Sequence, residues 1–144
     1  MSNLEERFAD ALHGTARAWR QAVDRRLKSL GLSQASWMTI AVAAKARSPL
    51  SQSELAERLG VEGATMVAMV DRLVKAGFVS RQPSKSDRRI NHVVVSEAGS
   101  RLYAAVKTEA AAVRKELLAH VDPKRLALAT DLLERLQQLI ESGT

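Results

Sequence analysis

The 144-residue sequence contains no cysteine. That excludes disulfide scaffolds, zinc ribbons, thiol catalysis and cysteine redox sensing, and nothing argues for an oxidising compartment. Aromatic residues make up only 3% of the chain. There is no nucleophile elbow, glycine-rich phosphate loop or HExxH zinc signature, so an enzymatic reading has no residues to stand on. His13, His92 and His120 do not have metal-ligand spacing and no acidic partners surround them, so neither a metal nor a cofactor is expected. No apolar run approaches the roughly 18 residues that span a bilayer. The opening Met1-Ser2-Asn3-Leu4-Glu5-Glu6 carries acid where a signal peptide needs base. The expectation is a cytoplasmic protein, neither secreted nor anchored.

Acid is also the scarcer charge: 16 Asp and Glu stand against 22 Lys and Arg, a formal net charge of +6. An excess of base of that size favours a polyanionic partner. The remainder is ordinary for one compact domain, with 46% apolar residues and no repeat, low-complexity stretch or long linker to divide it.

Hydrophobic periodicity gives the layout. Leu4, Phe8, Leu12, Ala16, Trp19, Val23, Leu27 and Leu30 recur by threes and fours, an apolar stripe on a long helix ending at Gly31. Ser33 is placed to cap a second helix bearing Trp37, Ile40 and Ala44, which should stop near Ser48-Pro49. Ser51-Gln52-Ser53-Glu54 is a capping box opening a short helix, with Leu55, Ala56 and Leu59 inward and Gly60 as its left-handed end. A further helix begins by Glu62 or Gly63 and runs to Ala76, with Met66, Val70 and Leu73 inward. Two short helices joined by a glycine turn make a helix-turn-helix.

From Phe78 the period changes. Phe78 to Gln82 and Asn91 to Val95 read as two strands of a hairpin whose long tip is polar and basic. Ser96 then caps a helix striped by Leu102, Val106, Ala110, Val113 and Leu117. Asp122-Pro123 starts a last one striped by Leu126, Ala129, Leu133, Leu136 and Ile140. The fold class is mainly α with a small β-hairpin wing: four helices, the wing, then two helices.

Arg72, Lys75, Arg81, Lys85, Arg88 and Arg89 fall within residues 72–89, where Asp87 is the only acid. Most of the excess charge therefore sits on the second short helix and the hairpin, whereas a merely solvated face mixes the two signs. A helix-turn-helix followed by a basic hairpin is the winged-helix plan for duplex DNA, with the second helix in the major groove and the arm on the backbone or in the minor groove. On the expected outer face of that helix lie Ala64, Thr65, Ala68, Met69 and Arg72. Thr65 offers a hydroxyl or methyl to base edges, Ala64 and Ala68 allow close approach, and Arg72 suits phosphate. So apolar a face leaves a second reading open, an architectural binder that reads DNA shape without any ligand.

Ser86-Asp87-Arg88-Arg89 at the hairpin tip resembles the wing signature of the MarR-type winged-helix regulators. Ala18-Trp19-Arg20, Asp24-Arg25-Arg26-Leu27-Lys28, Leu32-Ser33-Gln34 and Trp37 resemble the N-terminal helices of its SlyA-like branch. Leu55-Ala56, Leu59-Gly60-Val61-Glu62, Val67, Leu73, Gly77 and Ser80-Arg81 extend the likeness to nearly the whole chain. The resemblance implies that Arg89 enters the minor groove, oriented by Asp87, with Arg88 on the backbone or beside it. Ser51, Arg81, Ser84 and Lys85 complete the set expected at DNA. The branch places a proline where this chain has Ala64 and an arginine where it has Ala68, so base contacts carried by that arginine do not transfer.

The apolar stripes of the first and last helices exceed what six helices of one small chain can cover, so a homodimer is expected. The resemblance implies the same: residues 1–32 and 100–144 form a helical dimerisation region around a winged helix-turn-helix at 33–99. It implies a cytoplasmic, nucleoid-associated bacterial repressor that holds a pseudo-palindromic operator, with recognition helix 62–76 in the major groove and wing 83–90 in the minor groove. It also implies release by a small aromatic or phenolic ligand bound between the helices and the winged helix. His13, Arg17, Arg20 and Trp37 are the residues expected to line that site, since an arginine beside an apolar surface suits an aromatic carboxylate.

Overall fold

A computed structural model describes residues 3–143. Helix α1 (Asn3–Leu27) is followed by one 3₁₀ turn (Lys28–Leu30) closed by Gly31. Ser33 then accepts a hydrogen bond from the Ser36 amide and starts α2 (Gln34–Lys45). This helix ends earlier than the Ser48-Pro49 signal suggests. Ala46 is already extended, and after a bend at Arg47 and Ser48 the chain enters a short strand, β1 (Leu50–Ser51), for which the sequence carries no signal. Two residues are too few to show an alternating pattern, and only the partner strand reveals them.

Both halves of the capping box are formed at the start of α3 (Gln52–Leu59): the Ser51 hydroxyl accepts from the Glu54 amide at 3.1 Å, and the Glu54 carboxylate accepts from the Ser51 amide at 3.0 Å. Such a cap contributes about 0.5–2 kcal/mol. These bonds, the backbone one first, hold the Glu54 carboxyl below its ordinary range. Gly60 ends α3 in the left-handed region at φ 67°, where a Cβ is strained, and this permits the tight turn into α4 (Gly63–Lys75).

Strands β2 (Val79–Pro83) and β3 (Asn91–Val95) pair antiparallel, Val79 opposite Val95 and Pro83 opposite Asn91, and β1 adds to the far edge of β3. Pro83 closes an edge strand, where its missing N–H costs no ladder bond. The hairpin is joined to α5 (Glu97–Leu118) through Ser96, whose hydroxyl donates to the Gly77 carbonyl and accepts from the Gly99 amide. Gly99 allows this approach, because a Cβ there would run into the Phe78 carbonyl oxygen. Asp122 caps α6 (Pro123–Ser142), with proline in its first turn.

The chain divides into two compact units, one reaching to Val113 and one beginning at Arg114. The first holds two buried clusters. Ile40, Leu50, Leu55, Met66, Met69, Val70, Leu73, Val79 and Val93 tie the three short helices to the sheet, and Val23, Leu27, Trp37, Val106 and Val113 close around the C-terminal half of α1. Each fully buried aliphatic side chain contributes roughly 1.5–3 kcal/mol. In the second unit no described residue of α6 is buried. No helix among the described residues is long and apolar enough to cross a membrane.

Candidate nucleic-acid interface

Helix α4 presents Ala64, Thr65, Val67, Ala68, Asp71, Arg72 and Lys75 to solvent while Met66, Met69, Val70 and Leu73 are buried. Met69 therefore belongs to the inner face, correcting its expected outward position. It lies three residues after Met66 and four before Leu73, on the same stripe, and its sulfur receives the Ser36 hydroxyl at 3.5 Å. The outer face that remains is small, with Thr65 its only hydroxyl.

The wing tip is built around Asp87. Its carboxylate accepts from the Arg89 backbone amide at 3.0 Å and from the guanidinium at 3.1 Å (Nε) and 3.2 Å (Nη2), a bidentate fork. The guanidinium, then the amide, hold the Asp87 carboxyl below the usual range. The Arg89 side chain is nevertheless 91% exposed. A short acid thus presents a long cation at the end of a hairpin without burying it. Lys85 and Arg88 are exposed beside it, and no ion pair is seen for either among the described residues.

Several expected contact residues are used within the fold. Ser84 is only 6% exposed; its amide bonds the Ile90 carbonyl, and its hydroxyl bonds Ser86, so its hydroxyl is not offered to a partner and serves to close the wing loop. The Ser51 hydroxyl is engaged as the acceptor of the α3 cap. Arg81 is turned inward: Nε donates to Gln52 Oε1 at 2.6 Å, and Nη2 lies 3.2 Å from the Val67 carbonyl and 2.6 Å from Asp71 Oδ1. Asp71 lies one residue before the basic stretch 72–89 and pairs with Arg81, so among the described residues the positive charge with no acid paired to it is carried by Arg72, Lys75, Lys85 and Arg88, with Arg89 exposed but paired to Asp87.

A cleft of about 480 Å³ opens among α1, α2, α3 and α4. Its lining includes the apolar side chains of Met38, Met66 and Met69 and the polar ones of Arg20, Arg58 and Thr65. Of the four residues expected at a ligand site, Arg20 is among those lining this cleft. Trp37 is not; it is a core residue whose indole N–H donates to Asp24 at 3.2 Å. His13 and Arg17 are exposed on α1 outside this cleft. Arg58 was missed, because a basic residue near the end of a short helix looks like any solvated charge. Among the described residues no cluster of His, Asp or Glu could hold a metal ion.

Residues 32–90 match the family model described as the MarR family. The structure superposes on that of the transcriptional regulator PA3341 with a TM-score of 0.85 and 39% identity, covering 93% of this chain and 98% of that one. CouR from Rhodococcus jostii RHA1, solved bound to p-coumaroyl-CoA, matches at a TM-score of 0.80 and 24% identity over 100% of this chain and 98% of its own. The transcriptional regulator SlyA matches at 0.78 and 20% identity over 92% and 93%. The last two likenesses are of fold alone.

Proposed function

Because the chain belongs to the MarR family, whose members are transcriptional regulators and not enzymes, we propose that it binds double-stranded DNA as a homodimer on a pseudo-palindromic operator, at half-sites roughly one helical turn apart. Helix α4 enters the major groove with Ala64, Thr65 and Ala68 against base edges and Arg72 on phosphate. The wing carries Arg89 into the minor groove, with Lys85 and Arg88 on the backbone. The observation that carries this reading is the Asp87–Arg89 fork, which keeps a 91% exposed arginine aimed from the hairpin tip. Exposed apolar side chains on α6 (Leu128, Leu133 and Ile140) and on α1 (Leu4, Phe8 and Leu12) support a second copy as the dimer partner. The cleft lined by Arg20 and Arg58 together with three methionines supports a small amphipathic organic anion as the effector that releases DNA, in repressor fashion.

The second reading, a protein that recognises DNA shape, is favoured by one observation: in the N-terminal half of the exposed α4 face Thr65 is the single polar side chain, among Ala64, Val67 and Ala68. A titration of the intact protein against its own upstream intergenic duplex at two salt concentrations, with a scrambled duplex as competitor, separates the two. Binding that survives the competitor supports the sequence-specific regulator. Equal and strongly salt-dependent binding to both supports the shape reader. No binding to either overturns both.

A further inference from the structure

Two arginines of the hairpin pair with an acid, in opposite settings. Arg89 pairs with a residue two positions away at an exposed tip. Arg81 has a side chain only 26% exposed, and it gathers three elements: its own strand β2, Gln52 in the first turn of α3, and Val67 and Asp71 on α4. The planar guanidinium sends Nε to Gln52 and Nη2 to α4, so one rigid group fixes both directions together. Asp71 is the notable member. It is an acid on the solvent side of the helix proposed to meet DNA, one residue before Arg72, and its own side chain is 60% exposed. Charge alone makes it a liability beside phosphate.

We propose that Asp71, Arg81 and Gln52 form a positioning cluster that sets the wing relative to helix α4, and so sets where Arg89 lands once Thr65 is at the bases. The proposal rests on the DNA-binding reading. Asp71 and Arg81 act through the groups they place; neither one touches DNA. The two elements that must engage one half-site together are linked by the cluster, whereas the loop between β2 and β3 is held by its own local bonds.

The alternative role for Arg81, a phosphate contact partly neutralised by Asp71, predicts the opposite sign for one substitution. If Asp71 merely competes, Asp71→Asn removes a negative charge and frees a cation, so DNA binding tightens. As a positioning residue, Asp71→Asn weakens binding to the upstream duplex by about tenfold, the scale typical of one coupled polar contact. Arg81→Gln does the same, the double variant is no worse than either single one, and Arg81→Lys fails to rescue because a point charge cannot make the fork. The slope of log affinity against log salt stays at the wild-type value in all of them, because Arg89 still reaches its groove in the complex and the loss is the cost of ordering an unbraced wing, whereas loss of a phosphate contact lowers it by about 0.9. Tighter or unchanged binding by Asp71→Asn, or a flattened slope for Arg81→Gln, overturns the cluster.

A measurement without DNA makes the two hypotheses separable. The chain has no native cysteine, so Ala76→Cys and Lys85→Cys can carry a spin-label pair on the end of α4 and on the wing, diluted with unlabelled protein to isolate distances within one chain. Asp71→Asn is expected to broaden that distance distribution. An unchanged distribution overturns the cluster even if DNA binding holds. A broadened one supports it even if wild-type protein binds no DNA, in which case the functional reading fails alone.

Discussion

In the winged helix Leu55 and Val70 are 0% exposed and Met66 and Val93 are 2% exposed, while along α6 Leu128, Leu139 and Ile140 stand 67–72% exposed. Both regions are amphipathic and both show apolar residues at helical spacing. The difference is that three short helices and a sheet supply each other with faces, so the stripe of α4 meets Ile40, Leu55 and Val93 within the same fold. Periodicity therefore reports that a face exists, and only topology reports whether the chain itself covers it. Where it does not, the uncovered area is what the proposed dimer would bury.

The contrast can be broken by truncation. Leu55→Ala leaves a cavity in the closed core and is expected to cost about 2–5 kcal/mol in thermal or denaturant unfolding. Leu128→Ala is the matched test. In a monomer an exposed leucine is worth within about 0.5 kcal/mol. In the proposed dimer the loss becomes concentration-dependent, because stability and association are then linked. Equal small effects at every concentration would leave α6 without a partner.

Leu133→Asp sharpens the same comparison. A carboxylate placed in an apolar interface must be desolvated or protonated, so the dimer dissociation constant is expected to rise about a hundredfold. The melting of the winged helix, read at low concentration, should hardly move. Sedimentation of an intact dimer at wild-type affinity would move the interface off α6.

Much of this architecture was legible in the residues because its signals are local. Ser51 and Glu54 sit three apart, the spacing a capping box needs, and Gly60 falls where only a left-handed residue can end α3. At the wing tip it was the family resemblance that implied Asp87 orients Arg89, and the two do bond each other over two residues. What was not legible depends on partners distant in the chain. Arg81 read as a free cation until Gln52, 29 residues away, and Asp71 were found around it. Ser84 was expected at DNA, yet it is buried and closes the wing loop from inside. Strand β1 exists only because His92 and Val93 lie opposite it. Trp37 was weighed for a ligand site on residue type, but its indole has a partner in Asp24 and the rest of it fills the core.

Inside the winged helix itself the buried core and the exposed tip should separate cleanly. Arg89→Ala removes an arginine whose side chain is 91% exposed, so the melting temperature should stay unchanged. DNA affinity should fall about tenfold and the salt slope by about 0.9, since a groove-bound arginine releases a counterion as well as making its contacts. Unchanged affinity and slope would remove the wing from the interface.

The smallest effect concerns the cap of α3. The Glu54 carboxyl is held below its ordinary value of 4.5 by the Ser51 amide and hydroxyl, with a further pull from Arg58. A group whose folded pKa is depressed contributes its stabilisation above the unfolded value and loses it as pH falls through the folded one. Wild-type protein should therefore exceed Glu54→Gln in stability at neutral pH, by about 0.5 kcal/mol given solvent screening of a surface carboxylate at a helix N-terminus. That gap should begin to narrow as the pH drops below 4.5 and close below the depressed value of the folded state. Amide exchange localises the effect: protection in α3 should decline with the gap. A gap that persists unchanged into acid would mean that the carboxylate's charge adds nothing to the cap, leaving the Ser51 hydroxyl to hold the start of α3 by itself.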